Sequence, residues 1–200
     1  MQLTEKQNDM LIELVNIAFG RAAASLSELT GKRVQLKIPK VVVTTIDQLR
    51  ESFENIRDGE ITTISQIFRG AVAGNALLML DYDGAVALCD LLSDRLPRGS
   101  RLSESDCDAL TEVGNIMLNA CLGTFGNLLQ VHISFSVPSM RIESIPALFQ
   151  TFTIEAEELK YAIVISTNFE LRESSVGGYL IMVVGVSSLL NLLGAMDDAL

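Results

Sequence analysis

The chain has 200 residues, 48% of them hydrophobic and 20% charged, which is enough to bury a sizeable core and excludes a disordered polypeptide. Its formal net charge is -10 and its 15 Lys and Arg are scattered, so a nucleic-acid backbone is a poor partner. The 3 cysteines have no C-x-x-C spacing, and with a single His they form no zinc-site pattern. A reducing, cytoplasmic location is expected.

The first residues are polar and lack the basic-then-apolar order of an export signal. Thr4-x-x-Gln7 has the pattern of a capping box and predicts the start of a long helix, and Ser103 or Ser105 predicts the start of a second. On the first helix, six apolar residues share the face that is expected to be buried: Leu11, Val15, Ala18, Ala22, Leu26 and Leu29. The corresponding face of the second helix carries Leu110, Met117, Cys121, Phe125 and Leu128.

The segment 9–39 resembles the segment 108–138, which lies 99 residues further along the chain. Seven positions are identical in the two copies: Asp9/Asp108, Leu11/Leu110, Glu13/Glu112, Asn16/Asn115, Ile17/Ile116, Leu29/Leu128 and Pro39/Pro138. These matches favour two copies of one ancestral unit over coincidence. We therefore expect a single domain of residues 1–200 built from two repeats, about 1–97 and 100–200, with a surface linker between Ser93 and Ser105.

The pattern of each repeat predicts a long helix, a strand that ends at Pro39 or Pro138, a short irregular or helical piece, two strands joined by a turn, and a final helix. This order predicts an α+β fold with pseudo-two-fold duplication, in which two long motif-bearing helices pack on a mostly antiparallel sheet. The uncharged run from Ser174 to Met196 is long enough to cross a bilayer, but its glycines, serines and strand-forming residues favour a strand, a turn and a helix over a membrane span.

Each long helix carries one outward-facing polar stripe, because its residues are spaced i, i+4, i+7 and i+11. The stripes consist of Asp9, Glu13, Asn16 and Gly20 on the first helix, and of Asp108, Glu112, Asn115 and Asn119 on the second. Most surface Asp, Glu and Asn residues are simply solvated. Asn is a mediocre helix former, however, so its presence at the same step of both copies indicates a shared task.

A Glu and an Asn three residues apart do not form a self-contained hydrolase, because no nucleophile, base pair or metal cluster accompanies them. They are suited to assisting another protein. A carboxamide can hold a water molecule in line with a phosphorus atom without titrating. A carboxylate can pair with a cation on the partner and fix the docking position.

These residues resemble the signature of the CheC family of chemotaxis phosphatases, which is an acidic residue or Ser, three positions, Glu, two positions, Asn, twenty-two positions and Pro. Both copies match it, as Asp9-x3-Glu13-x2-Asn16-x22-Pro39 and Asp108-x3-Glu112-x2-Asn115-x22-Pro138. The resemblance covers nearly the whole chain. Two intact motifs resemble CheC more than the related CheX, which keeps one.

The resemblance implies a protein aspartyl-phosphate phosphatase, a hydrolase that acts in two-component signalling on phosphorylated CheY-like response regulators. Glu13 and Glu112 would contact the receiver's active-site lysine, and Asn16 and Asn115 would orient the attacking water. The receiver would supply the phospho-aspartate and its own Mg2+, so that this chain needs no metal or cofactor. A CheD-like deamidase is a further implied partner, although no stretch can be assigned to its binding.

The other stripe residues, Asp9, Asp108, Gly20 and Asn119, are expected to contribute to partner docking. Gly20 in the first copy stands where the second has Asn119, so the two sites are expected to differ in efficiency or partner. His132 is expected to be solvated, and the cysteines to be incidental.

Two other readings stay open. The chain could be a flagellar-switch module or an adaptor, either of which binds a receiver without hydrolysing its phosphate. A metallo-hydrolase is disfavoured because the sequence offers no ligand cluster.

Overall fold

The computed structural model describes residues 3–54, 59–93, 101–130, 132–154, 159–171 and 174–198. Its helices are α1 (Glu5–Thr30), α2 (Ile46–Glu54), α3 (Tyr82–Ser93), α4 (Glu104–Leu129), α5 (Ile145–Ile154) and α6 (Val186–Asp198). Its strands are β1 (Val34–Thr45), β2 (Glu60–Gly70), β3 (Gly74–Asp81), β4 (Ile133–Phe135), β5 (Ser139–Ser144), β6 (Leu159–Leu171) and β7 (Ser174–Gly185).

The strands in these ranges form one sheet, ordered β1-β6-β7-β3-β2-β4, in which β5 also pairs with β2. Every pairing between them is antiparallel. The first half of the chain contributes β1 to the edge of β6, and the second half contributes β4 and β5 to the edge of β2. Each half therefore completes the sheet of the other.

The sheet lies between two layers of helices, and the two-residue period of its central strands decides which side chain faces which layer. In β3, Leu78 belongs to the core shared with α1, α3, α4 and α6, whereas its neighbour Leu77 belongs to the core shared with α2 and α5. Both side chains are fully buried. On the smaller side, Phe53 of α2 packs edge-on against Tyr179 of β7, with ring centroids 5.4 Å apart.

The expected α+β fold with a mostly antiparallel sheet and two long helices packed on it is confirmed. The run from Ser174 to Met196 forms β7 and α6, as expected. In the described residues one helix, α1, is long and apolar enough to cross a membrane, and 39% of its apolar window is buried. The same composition is typical of a core helix, and α1 packs against α4 and β1.

The expectation that both strands end at a proline is wrong for the first half. β1 continues through Pro39 to Thr45, with a shift in its pairing with β6 between Lys37 and Lys40. A proline is tolerated there because β1 is an edge strand, whose outer N–H groups need no strand partner. In the second half the strand is interrupted, and Pro138 lies between β4 and β5. The expected linker falls largely in residues 94–100, outside the described residues.

Candidate functional site

The two motif helices begin in the same way, which gives their polar stripes the same phase. Thr4 Oγ1 accepts a hydrogen bond from the Gln7 amide at 3.2 Å, and the Gln7 side chain accepts one from the Thr4 amide at 3.0 Å. At the start of α4, Ser103 and Asp106 form the same capping box. The predicted starts at Thr4 and Ser103 are therefore confirmed, and each lies five residues before the motif Asp.

The buried faces of the helices follow the predicted pattern with one error at the end of α1. Leu29 was expected to be buried but is 56% exposed, because it lies in the last turn of the helix, beyond the cover of the sheet and α4. Leu14 and Phe19 are buried in addition to the residues that were predicted. Both widen the contact face of α1, which packs against α4 as well as against the sheet.

The motif face of α1 is open to solvent. Asp9, Glu13, Asn16 and Gly20 are all exposed, as the sequence predicted. No hydrogen bond or ion pair occupies the Glu13 or Asn16 side chain among the residues that the structure describes. Two apolar side chains flank the stripe, Ile12 at 37% exposure and Ile17 at 41%. This face therefore combines free polar groups with apolar surface, as docking sites do.

The motif face of α4 is only partly open, which corrects the expectation that both stripes face outward. Asp108 and Glu112 are exposed, but Asn115 and Asn119 are half-buried. Asn115 Oδ1 accepts a hydrogen bond from Asn119 Nδ2 at 2.8 Å and another from Gln66 Nε2 at 3.2 Å. Asn119 does not project freely outward, because its amide turns along the helix toward Asn115 and its own Oδ1 is buried with no hydrogen-bond partner among the described residues. Its part in docking stays a prediction.

The residue that precedes each asparagine explains why Asn115 is half-buried and Asn16 is exposed. Gly114 lies over β2, where an added Cβ would be 2.5 Å from Cγ2 of Ile64, so only glycine allows α4 to approach the sheet this closely. The same step of α1 is Val15, a fully buried side chain. The close approach of α4 brings Asn115 within reach of Gln66, which lies two residues beyond Ile64 on the same face of β2.

Gln66 is the residue of this site that the sequence reasoning missed. It is only 3% exposed, and its Nε2 also donates to the backbone carbonyl of Ser136 at 3.2 Å. A signal was present in β2, because Gln66 interrupts an alternation of buried apolar residues between Ile64 and Phe68. A buried polar side chain in such a pattern has to find hydrogen-bond partners.

No protein-family profile matches the chain. It is 23% identical over 170 residues to the CheY-P phosphatase CheC of Bacillus subtilis, a match that covers 83% of this chain and 81% of that protein. It is 24% identical over 173 residues to the flagellar motor switch phosphatase FliY of the same bacterium, covering 86% of this chain and 44% of FliY. The crystal structure of FliY from Thermotoga maritima matches with a TM-score of 0.80 at 20% identity and covers 100% of both chains.

The chain is similar to proteins of the CheC/CheX/FliY type, and these similarities support that family. The family resemblance drawn from the motif is thereby confirmed, and the match to the FliY structure agrees with the α+β fold. The roles of individual residues in this chain stay predictions.

None of the three cysteines forms a disulfide, and they are shielded to different degrees. Cys89 and Cys121 are buried, and Cys107 is half-buried near the start of α4. Burial raises the pKa of the Cys121 thiol to about 12. Burial, with the negative charges of Asp106, Asp108 and Glu104, also raises the pKa of Cys107.

The remaining titratable groups give no further site. His132 is exposed just before β4, as expected. Within the described ranges, no group of three or more His, Cys, Asp and Glu side chains is arranged to hold a metal ion.

Proposed function

We propose that this protein accelerates the loss of the phosphoryl group from the phospho-aspartate of a CheY-like receiver. The observation that carries the proposal is the motif face of α1, where Glu13 and Asn16 are exposed, lie one helical turn apart and have no side-chain partner among the described residues. Support also comes from two relatives whose names describe phosphatases, one of them a CheY-P phosphatase. The motif face of α4 repeats the same residues at Glu112 and Asn115.

The asparagine acts on water. A phospho-aspartate is an acyl phosphate, and its hydrolysis needs a water molecule in line with the phosphorus and the leaving carboxylate oxygen. The carboxamide oxygen of Asn16 can accept a hydrogen bond from that water and fix its direction of approach, without changing its own protonation state. A group of this kind typically contributes about 3 to 4 kcal/mol to lowering a barrier.

The glutamate acts on the receiver. Glu13 and Glu112 each have an exposed carboxylate that can bind the lysine of a receiver's active site, and such a charge-assisted bond fixes one docking orientation. The reacting acyl phosphate and the Mg2+ that neutralises it are both supplied by the receiver. This chain therefore contributes position rather than a metal or a covalent intermediate.

The residues around each Glu/Asn pair complete the proposed docking face. Ile12 and Ile17 offer apolar contact beside the polar stripe of α1, and Gly20 leaves open space one turn beyond Asn16. Asp9 and Asp108 extend the negative charge by one turn toward the start of each helix. An overall charge of -10 makes attraction to a positively charged patch on a receiver sensitive to salt.

A non-catalytic role as a receiver-binding or flagellar-switch module is the second candidate. It is favoured by the match to a flagellar motor switch protein, FliY. A CheD-like deamidase is a further proposed partner, and the cytoplasm is the proposed location because receivers of this kind act there. The two candidates differ in turnover, since a switch module binds the phosphorylated receiver and leaves its phosphate in place.

The test is phosphate release from a phosphorylated stand-alone receiver of the same organism, with this chain at one tenth of the receiver concentration. The wild type should shorten the lifetime of the phospho-receiver over many turnovers. The double variant Asn16→Ala/Asn115→Ala should lose that acceleration and still bind the receiver. Binding by the wild type with an unaltered phosphate lifetime would favour the switch module instead.

A further inference from the structure

The two CheC-type motifs match in sequence, but their asparagines are bonded differently. We infer that Gln66 and Asn119 are positioning residues that hold the Asn115 amide in a less active arrangement, which leaves Asn16 as the faster of the two sites. This inference rests on the proposed function and concerns the relative rates of its two sites.

The backbone of Ser136 fixes the orientation of the amides. Its carbonyl oxygen can only accept hydrogen bonds, so the group of Gln66 that lies 3.2 Å away must be the donor Nε2. The second hydrogen of Nε2 then points to Asn115, whose oxygen is the group that accepts it. The side-chain orientation of Asn115 is therefore determined by a chain of contacts that ends at the backbone.

The oxygen of Asn115 has no acceptor capacity left. A carboxamide oxygen has two lone pairs, and one is taken by Gln66 Nε2 and the other by Asn119 Nδ2. Gln66 is almost completely buried, so water does not readily replace it. What remains available on Asn115 is its own NH2 group, which can only donate.

A donor is the wrong group to hold an attacking water. The water must direct one lone pair of its oxygen at the phosphorus, so its hydrogens should be held by acceptors. A donor aimed at the water oxygen competes for the electrons that have to form the new bond. Asn16 keeps its acceptor, because it is exposed and Gly20 has no side chain that could bond it from the next turn.

The experiment measures phosphate release from the phosphorylated receiver under steady-state conditions. Asn16→Ala should lower kcat by a factor about three or more times larger than Asn115→Ala does. In the Asn16→Ala background, the added changes Gln66→Met and Asn119→Ala should free the Asn115 oxygen and raise kcat about 3- to 10-fold, since one hydrogen bond commonly has that effect. The kcat values are compared at receiver concentrations that saturate binding, so a change in docking at Asn119 does not enter the comparison.

A matched change on α1 provides the reverse test. In the Asn115→Ala background, Gly20→Asn places at the next turn the donor that α4 has at Asn119, and the position is open enough to accept it. This variant should lower kcat about 2-fold or more, measured at receiver concentrations that saturate binding. A rise of activity in one background and a fall in the other cannot both arise from general damage to the fold.

Three outcomes would overturn the inference. The first is a larger loss in Asn115→Ala than in Asn16→Ala, and the second is no rise of kcat when Asn115 is freed. Should Gln66→Met prevent folding, Asn119→Ala alone in the Asn16→Ala background must still raise kcat, and its failure to do so is the third. A wild type that binds the receiver but does not shorten the phosphate lifetime would refute the proposed function itself, which distinguishes the two failures.

Discussion

Val42 of β1 pairs with Val164 of β6, so the first long strand of the chain is hydrogen-bonded to a strand of the other half. Toward the other edge of the sheet, Ile64 of β2 pairs with Met140 of β5, so a strand of the second half is hydrogen-bonded to a strand of the first. The centre of the sheet is also shared, because Leu77 of β3 lies beside Ile181 of β7. Among the described residues, four strand pairings join the two halves, namely β1–β6, β3–β7, β2–β4 and β2–β5, so the halves are not separate units packed side by side.

This exchange predicts that neither half folds alone. A fragment of residues 1–97 should lack a cooperative unfolding transition by circular dichroism, because β1 and β2 would have exposed, unpaired edges. Mixing it with a fragment of residues 98–200 should restore a cooperative transition. A stable, cooperatively unfolding 1–97 fragment would contradict the importance of the exchanged strands.

The two glycines beside the motif asparagines should respond in opposite ways to alanine. Gly114→Ala should lower the free energy of unfolding by about 1 to 3 kcal/mol, because its Cβ would meet Ile64. Gly20→Ala should raise it by about 0.5 to 1 kcal/mol, since nothing lies within 4 Å and alanine favours the helix. Urea unfolding of both variants measures the difference, and a destabilised Gly20→Ala protein would argue against an open motif face on α1.

The thiols should react in the order set by their burial. Iodoacetamide at pH 8 should label Cys107 first, because Cys121 is buried and its pKa is raised to about 12. The raised pKa of Cys107 means that its labelling should keep accelerating as the pH is increased from 7 to 9, when thiolate is still the minor form. Mass spectrometry of the native protein measures both rates. Native labelling of Cys121 as fast as Cys107 would show that α4 is not packed as described.

The motif glutamates should affect receiver binding more than the chemical step. Glu13→Gln/Glu112→Gln keeps the size of both side chains but removes the charge that binds a lysine, so KM should rise about 3- to 10-fold at low salt with a smaller change in kcat. The rise should shrink in 0.5 M salt, where the wild type also loses this attraction. Glu51→Gln is the matched control, because Glu51 is exposed on α2, across the sheet from the motif helices. An equal effect of the control would point to net charge rather than to a specific contact.

Local sequence patterns predicted the elements that depend on neighbouring residues. The helix starts at Thr4 and Ser103 follow from capping residues, and the exposed stripe of α1 follows from the helical period. Leu29 was mispredicted because helical period alone does not reveal where a partner helix or sheet ends. Pro39 was expected to end a strand, because proline interrupts the interior strands of a sheet. An edge strand tolerates proline, and the sequence does not show that β1 is an edge strand.

The features that were missed depend on contacts between distant parts of the chain. Gln66 meets Asn115 only because Gly114 lets α4 lie close to β2, and these residues are separated by nearly fifty positions. The Gly20 and Asn119 difference was visible in the sequence and predicted unequal sites. The hydrogen bonds that we propose as the cause could be found only from the positions of β2 and of the Ser136 carbonyl.

The most direct test of the account is the decay of a fully phosphorylated receiver, at a concentration that saturates binding, with the wild type and with Asn16→Ala/Asn115→Ala. Saturation removes differences in docking, so the comparison isolates the orientation of water. We expect the wild type to accelerate decay and the double variant to lose about 100-fold or more of that acceleration, as removal of a preorganised hydrogen-bonding group does. Equal decay rates for the two proteins would contradict the central role of the asparagines.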